Sequence, residues 1–256
     1  MKIFRWIAVA FSLYSRIPMP HFKWEEEDMS KSLLFFPWVG AVIGAVSGLI
    51  WFGASYYHVP ILVGVLLMGL VPLIITGGFH VDGYMDVEDA RRSYQPKEKK
   101  LEILSDPHIG AFSVISLAIC LMLYGVGIGL LFERFRLEYA VIYGCIFYIS
   151  RCASGICALT FKKAKDSGML FEETRKKNRL SIILFVTRIF MALAVMTICN
   201  IWMGTAILAV LIIGMLLYGY TSYRTFGGVT GDTAGHFLVT VQCAMILVLG
   251  VLVFVL

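Results

Sequence analysis

Seven stretches of this chain carry almost no charge: about 33–57, 60–79, 110–132, 138–160, 181–202, 204–222 and 236–256. Each is close to the roughly 20 apolar residues that a helix needs to cross a hydrocarbon core. Nothing in that core can hydrogen-bond an open backbone, so the runs have to be helices. We therefore expect an all-α, polytopic integral membrane bundle of about seven transmembrane helices, forming one membrane-embedded domain over 1–256. Composition agrees: 59% of residues are hydrophobic and 15% charged, against about 45–50% and about 25% in soluble domains.

The polar segments between the runs sort by charge. Segments 1–32, 80–109, 161–180 and 223–235 fall on one side and hold 18 of the 22 Lys and Arg. Lys176 and Lys177 are among them. The other side receives Arg134 and Arg136; Arg151 and Arg188 lie within spans. Positive loops stay cytoplasmic, so the N-terminus is expected inside and the C-terminus outside. The net charge of +5 then reflects cytoplasmic loops and lipid headgroups rather than nucleic acid. Lys2 and Arg5 precede a short apolar stretch, Trp6 to Tyr14, with no small-residue cleavage site after it. It is too short to span and should lie at the interface, and no cleavable signal is expected. The six cysteines form no CxxC pair and read as small buried hydrophobes. Gly40, Gly44 and Gly48, and the pair Gly125 and Gly129, are small-residue stripes suited to close helix packing.

Chemistry concentrates at the cytoplasmic ends. Residues 77–89 read GGFHVDGYMDVED. Asp82, Asp86 and Asp89 are spaced i, i+4, i+7 and share one face if helical. Three hard oxygen donors so placed suit Mg2+ or a similar ion. Glu88 points elsewhere and should stay solvated. His80 is a metal ligand, a proton carrier or a polar anchor at the interface. Asp106, in the run DPHIGAF, can cap the third span or join the site. Residues 227–235, GGVTGDTAG, open the last span. Their amides can hold phosphate, and Asp232 can cap that helix or complete a metal site. Arg16, Arg91, Arg92, Arg151 and Arg224 lie near these clusters, and Arg151, inside a span, needs an anionic partner. Acids and bases on one face fit a metal-dependent phosphoryl or phosphodiester transfer.

Several patterns recur in order over nearly the whole chain. They are R-x-P-x-P at Arg16, Pro18 and Pro20; F-P-x-x-G-x-x-x-G at Phe36, Pro37, Gly40 and Gly44; and GG-x-H-x-DG-x-x-D-x-x-D over 77–89. They continue with L-E-I-L-x-D-x-x-I-G-A-F over 101–112, the pair Ser150 and Arg151, and GGVTGDT-x-G over 227–235. Together they resemble the cobalamin synthase family, the adenosylcobinamide-GDP ribazoletransferases. The resemblance implies a Mg2+-dependent enzyme of the cytoplasmic (inner) membrane with its active site on the cytoplasmic face. Such an enzyme joins α-ribazole, or its 5′-phosphate, to adenosylcobinamide-GDP and releases GMP. It implies metal ligation by Asp82, Asp86, Asp89 and Asp106, and catalytic roles for those first three and His80. It implies substrate binding by Arg16, Gly77, Gly78, Arg151, Thr230, Gly231 and Asp232, with Arg151 steadying the leaving GMP. Partners are the corrinoid nucleotide, α-ribazole and the lipid bilayer, with no nucleic acid; a homo-oligomer is left open. The chain departs from the pattern at Arg91, Arg92, His108, Val239 and Gln242; the last two stand where the family often shows glutamates.

Two other readings compete. A CDP-alcohol phosphotransferase would want Ala-Arg three residues after the DG of Asp82-Gly83, where this chain has Asp86-Val87. A transporter would place its acids near mid-membrane, often in inverted repeats, whereas these gather at one rim.

Overall fold

The computed structural model describes residues 2–175 and 179–256; Lys176 and Lys177 lie outside them. The described residues form twelve helices and no strand. At the N-terminus stand α1 (Lys2–Tyr14) and α2 (Glu26–Ser32), and α2 runs through a tight turn, Leu33–Phe35, into α3 (Phe36–Tyr56). Next come α4 (Ile61–Thr76), α5 (Phe79–Arg92), α6 (Lys97–Ile103), α7 (Ala111–Phe132) and α8 (Leu137–Thr160). The chain ends with α9 (Met169–Thr174), α10 (Arg179–Cys199), α11 (Ile201–Phe226) and α12 (Gly231–Val255).

Six of these are long and apolar enough to cross a membrane, and α4 with α5 supplies a seventh that is bent by 93°. The outward faces are apolar: Leu49, Leu62 and Trp202 are each at least 70% exposed. Water would penalise that surface, and lipid does not. The protein is a multi-pass membrane bundle.

One expected span needs correction. The run 60–79 is not one straight helix. α4 stops at Thr76, and Gly77 and Gly78 take φ of 66° and 79°. Left-handed backbone is cheap only for glycine. After this turn α5 leaves the bundle axis and lies along its Lys/Arg-rich end. The boundary expected near 203 moves to Asn200, whose side chain accepts from the Trp202 and Met203 amides at 3.1 Å and caps α11.

α1 is an edge helix. Ala8, Val9, Ala10 and Phe11 are buried, while Ile3 and Phe4 are about 60% exposed. Its 13 residues reach only about 20 Å, so it does not span. Arg5 ties it to α2 through Asp28 at 2.6 Å.

Backbones approach where side chains are absent. A Cβ on Gly44 would fall 2.6 Å from the Gly144 Cα, joining α3 to α8. A Cβ on Gly127 would fall 2.9 Å from the Leu247 amide, joining α7 to α12, and Gly250 meets the Gly127 carbonyl from the other side. The stripes are only half as expected: Gly40 and Gly44 make close contact, but Gly48 faces open space and Gly125 only touches Val65 at 3.8 Å. Lipid offers no hydrophobic drive between helices, so such packing holds the bundle. Gly44→Leu is therefore expected to lower the melting temperature in detergent by an amount corresponding to about 1–3 kcal/mol. Gly48→Leu should stay within about 0.5 kcal/mol of the unchanged protein. Equal melting of the two would rule out this packing.

Candidate active site

Two glycines let α5 rest on the first turns of α12. A Cβ on Gly83 would sit 2.9 Å from the Asp232 Cα, and one on Gly235 would sit 3.0 Å from the His80 carbonyl oxygen. The crossing puts Asp82 and Asp232 on one cleft of about 350 Å³, which Lys163, Lys165, Thr230 and Gly231 also line. The far wall is held by backbone pairing between two loops. The Val229 amide donates to Lys162 O at 2.9 Å, and the Ala164 amide donates to Val229 O at 3.0 Å. Gly228 is needed there, because a Cβ would fall 2.6 Å from Lys162 O. Lys165 also donates to Ser105 Oγ at 2.9 Å, tying in the α6–α7 loop.

The N-terminus of α12 opens on the cleft. Thr230, not Asp232, caps it. Thr230 Oγ1 accepts from the Thr233 amide at 3.2 Å, and Thr233 Oγ1 accepts from the Thr230 amide at 2.8 Å. The cap leaves Asp232 available to the cleft, beside the positive end of the helix dipole.

The acidic face of α5 divides its labour. Asp86, one turn after Asp82, is half-buried. Burial first, and then the charges of Asp82, Asp232 and Asp89, push its carboxyl up to about 6. Asp89 is committed to α7: its oxygens accept from the Gly110 amide at 2.6 Å and the Ser113 amide at 2.9 Å. It performs the capping that the sequence offered to Asp106. Asp106 is exposed and accepts from its own neighbour, the His108 amide, at 2.9 Å. Among the described residues no three His, Cys, Asp or Glu side chains are gathered closely enough to hold a metal ion. The expected quartet of Asp82, Asp86, Asp89 and Asp106 is thus not assembled. Asp82 and Asp232 are the two hard oxygen donors that share the cleft, a number that fits Mg2+, which is held by one or two carboxylates together with substrate phosphates and water.

Glu88 corrects another expectation. It is 6% exposed, not solvated. Its carboxylate accepts from Arg91 at 2.8 Å, Arg92 at 3.2 Å and Ser116 at 3.0 Å, and lies 3.0 Å from His236 Nε2. Burial alone would raise it, but the His236 hydrogen bond and Arg91 outweigh burial and hold it at about 2. His236 stacks on Tyr84 at 5.1 Å. The network pins α5 to α7 and α12.

Other expected residues sit away from the cleft. The Arg16 side chain packs where a Cβ on Gly77 would stand, and its amide donates to Ile75 O at 2.7 Å. His80 is buried among Tyr14, Phe36 and Phe79. Burial and then the Arg151 charge push its imidazole down to about 3, and Nε2 has no partner among the described residues. Arg151 is 1% exposed and donates to Phe147 O at 3.0 Å; it does not line the cleft. Missed at the sequence level were Lys163 and Lys165, which looked like topology signals, and Glu173. The last is 1% exposed and accepts from the Tyr14 hydroxyl.

The family model described as cobalamin-5-phosphate synthase matches residues 6–250. The chain belongs to that family. Relatives named adenosylcobinamide-GDP ribazoletransferase agree along almost the full length. One from Lachnoclostridium phytofermentans is 36% identical, covering 99% of this chain and 95% of its own. One from Clostridium perfringens is 33% identical, covering 98% and 100%. One from Desulfitobacterium hafniense is 33% identical, covering 90% and 89%. No solved structure matches. In this cobalamin synthase family enzyme the departures have local tasks: Arg91 and Arg92 clamp Glu88, and Gln242 donates to Ser150 Oγ at 2.8 Å.

Glu173 yields a pH prediction. Burial raises its carboxyl from 4.5 to about 7, against the Tyr14 hydrogen bond. The folded value lies above the unfolded one, so its contribution is fully present below about pH 4.5 and is lost as pH rises through about 7. Glu173→Gln should keep the Tyr14 contact and flatten that part of the melting-temperature profile. An unchanged slope in the variant would refute the assignment.

Proposed function

We propose that the protein joins α-ribazole, or its 5′-phosphate, to adenosylcobinamide-GDP, forming adenosylcobalamin or its 5′-phosphate and releasing GMP. The observation that carries the reading is one cleft with Asp82 and Asp232 facing Lys163 and Lys165 at the N-terminus of α12. The reaction moves a phosphoryl group between oxygens. The ribose hydroxyl forms a bond to the phosphorus next to the corrinoid's aminopropanol arm, and the pyrophosphate bridge to GMP breaks. The pyrophosphate of adenosylcobinamide-GDP is anionic, so the site has to place positive charge around it.

Lys165 and the α12 N-terminus would bind the pyrophosphate oxygens from one wall. Lys163 would add its charge to the same wall. Asp82 and Asp232 would hold Mg2+ in the same cleft, with the substrate's phosphates completing its ligands. Such an ion, when bound, neutralises charge that builds on the phosphoryl oxygens. A carboxylate of this set takes the proton of the attacking hydroxyl. The Glu88 network and the Asp89 cap keep α5 in register over α12, so these groups stay aligned. The excess of Lys and Arg at this end supports a cytoplasmic-membrane enzyme whose site faces the cytoplasm.

The test supplies adenosylcobinamide-GDP, α-ribazole and Mg2+ to detergent-solubilised protein and follows GMP release and cobalamin formation. Asp82→Asn should lower kcat by roughly 10²–10³-fold, and a chelator should stop turnover. Lys165→Met should raise KM for adenosylcobinamide-GDP by about 10-fold and leave KM for α-ribazole nearly unchanged. Folded protein that makes no product would end this reading.

A further inference from the structure

We infer that a slot beneath α5, separate from the carboxylate cleft, binds a phosphate monoester carried on an apolar body, with the phosphate held by Arg151, His80 and Gln242. The bend at Gly77 and Gly78 leaves a crook between α4, α7 and α12. Its apolar walls are Pro72 and Leu73 of α4 and Leu117 and Leu121 of α7. Leu121 is 47% exposed on the outer face of α7, so the slot opens toward lipid. Its floor is polar. Arg151, His80 and Gln242 line it and are 1%, 8% and 8% exposed.

The floor has unmet demand. The Arg151 guanidinium has a backbone carbonyl, Phe147 O, and the face of the Phe36 ring at 5.4 Å. Among the described residues its Nε is buried without a partner, and so is Nε2 of His80. No carboxylate pairs with Arg151 among the described residues. A buried cation without a counter-charge is strongly unfavourable, and an arriving anion relieves it. The guanidinium fork matches a phosphate, and a neutral imidazole and an amide can donate beside it. The slot is small, about 70 Å³. That is room for about two waters, so it takes one phosphoryl group while the apolar body lies between α4 and α7. Only the choice of natural ligand rests on the reaction proposed above. α-Ribazole 5′-phosphate and phosphatidic acid both offer this chemistry.

The experiment is calorimetry on the full chain in maltoside detergent free of phospholipid, with phenyl phosphate as the probe and benzyl alcohol as its uncharged counterpart. Phenyl phosphate should bind at least about 10-fold more tightly than benzyl alcohol. Arg151→Met should abolish the difference. Should that variant not fold, Gln242→Glu decides. It places a carboxylate in the slot that Arg151 also lines, so it should melt at or above the unchanged protein and still bind phenyl phosphate at least about 10-fold more weakly. Competition by α-ribazole 5′-phosphate or by phosphatidic acid supports the site and names its source. Phenyl phosphate that binds no better than benzyl alcohol overturns the proposal, whatever the transferase assay returns. So does equal binding to Gln242→Glu and the unchanged protein.

Discussion

The 93° turn at Gly77 and Gly78 divides the part of the chain that dissolves in lipid from the part that carries charge. α4 reaches the Lys/Arg-rich end as an almost wholly apolar helix. α5 follows two residues later with Asp82, Asp86, Glu88 and Asp89. Had the helix continued straight, those carboxylates would point along the axis with nothing around them. Turned across the end of the bundle, they meet the N-terminal ends of α7 and α12, two sources of partial positive charge. The turn requires positive φ at consecutive residues, and the Arg16 side chain fills the space a Cβ would need at Gly77. Glycine is therefore fixed there by two independent demands.

Four acids on one short helix repel one another, and the fold answers each differently. Glu88 is neutralised by Arg91, Arg92 and His236. Asp89 is satisfied by two α7 amides. Among the described residues Asp82 and Asp86 make no ion pair, and Asp232 joins them from α12. Burial first, and then the residual repulsion, raises the Asp86 carboxyl.

Hydropathy revealed the bundle because lipid imposes a composition on every residue it touches, and each span leaves that mark locally. The acidic face of α5 was legible for the same reason, since i, i+4, i+7 is a property of one helix. Most of the exceptions are contacts between distant segments. Glu88 read as solvated because its partners His236 and Ser116 belong to α12 and α7. Lys163 and Lys165 read as loop charges because their place beside Asp232 depends on the backbone pairing of 162–164 with Val229. Gly127 was passed over for Gly125 and Gly129, because spacing does not say which glycine faces α12. The break at 77–78 lay inside an apolar run, and hydropathy is blind to backbone handedness.

α4 is the shortest of the crossing helices. Its 16 residues rise about 24 Å, against a hydrocarbon core of about 30 Å. The bilayer beside α4 has to thin or pucker to meet it. That dimple forms next to α5, at the end where the charged residues gather. The headgroup plane is drawn down toward the cleft, and water with it. Membrane thickness thereby becomes a variable of the enzyme: stiff, thick bilayers resist the dimple and thin, compliant ones accept it.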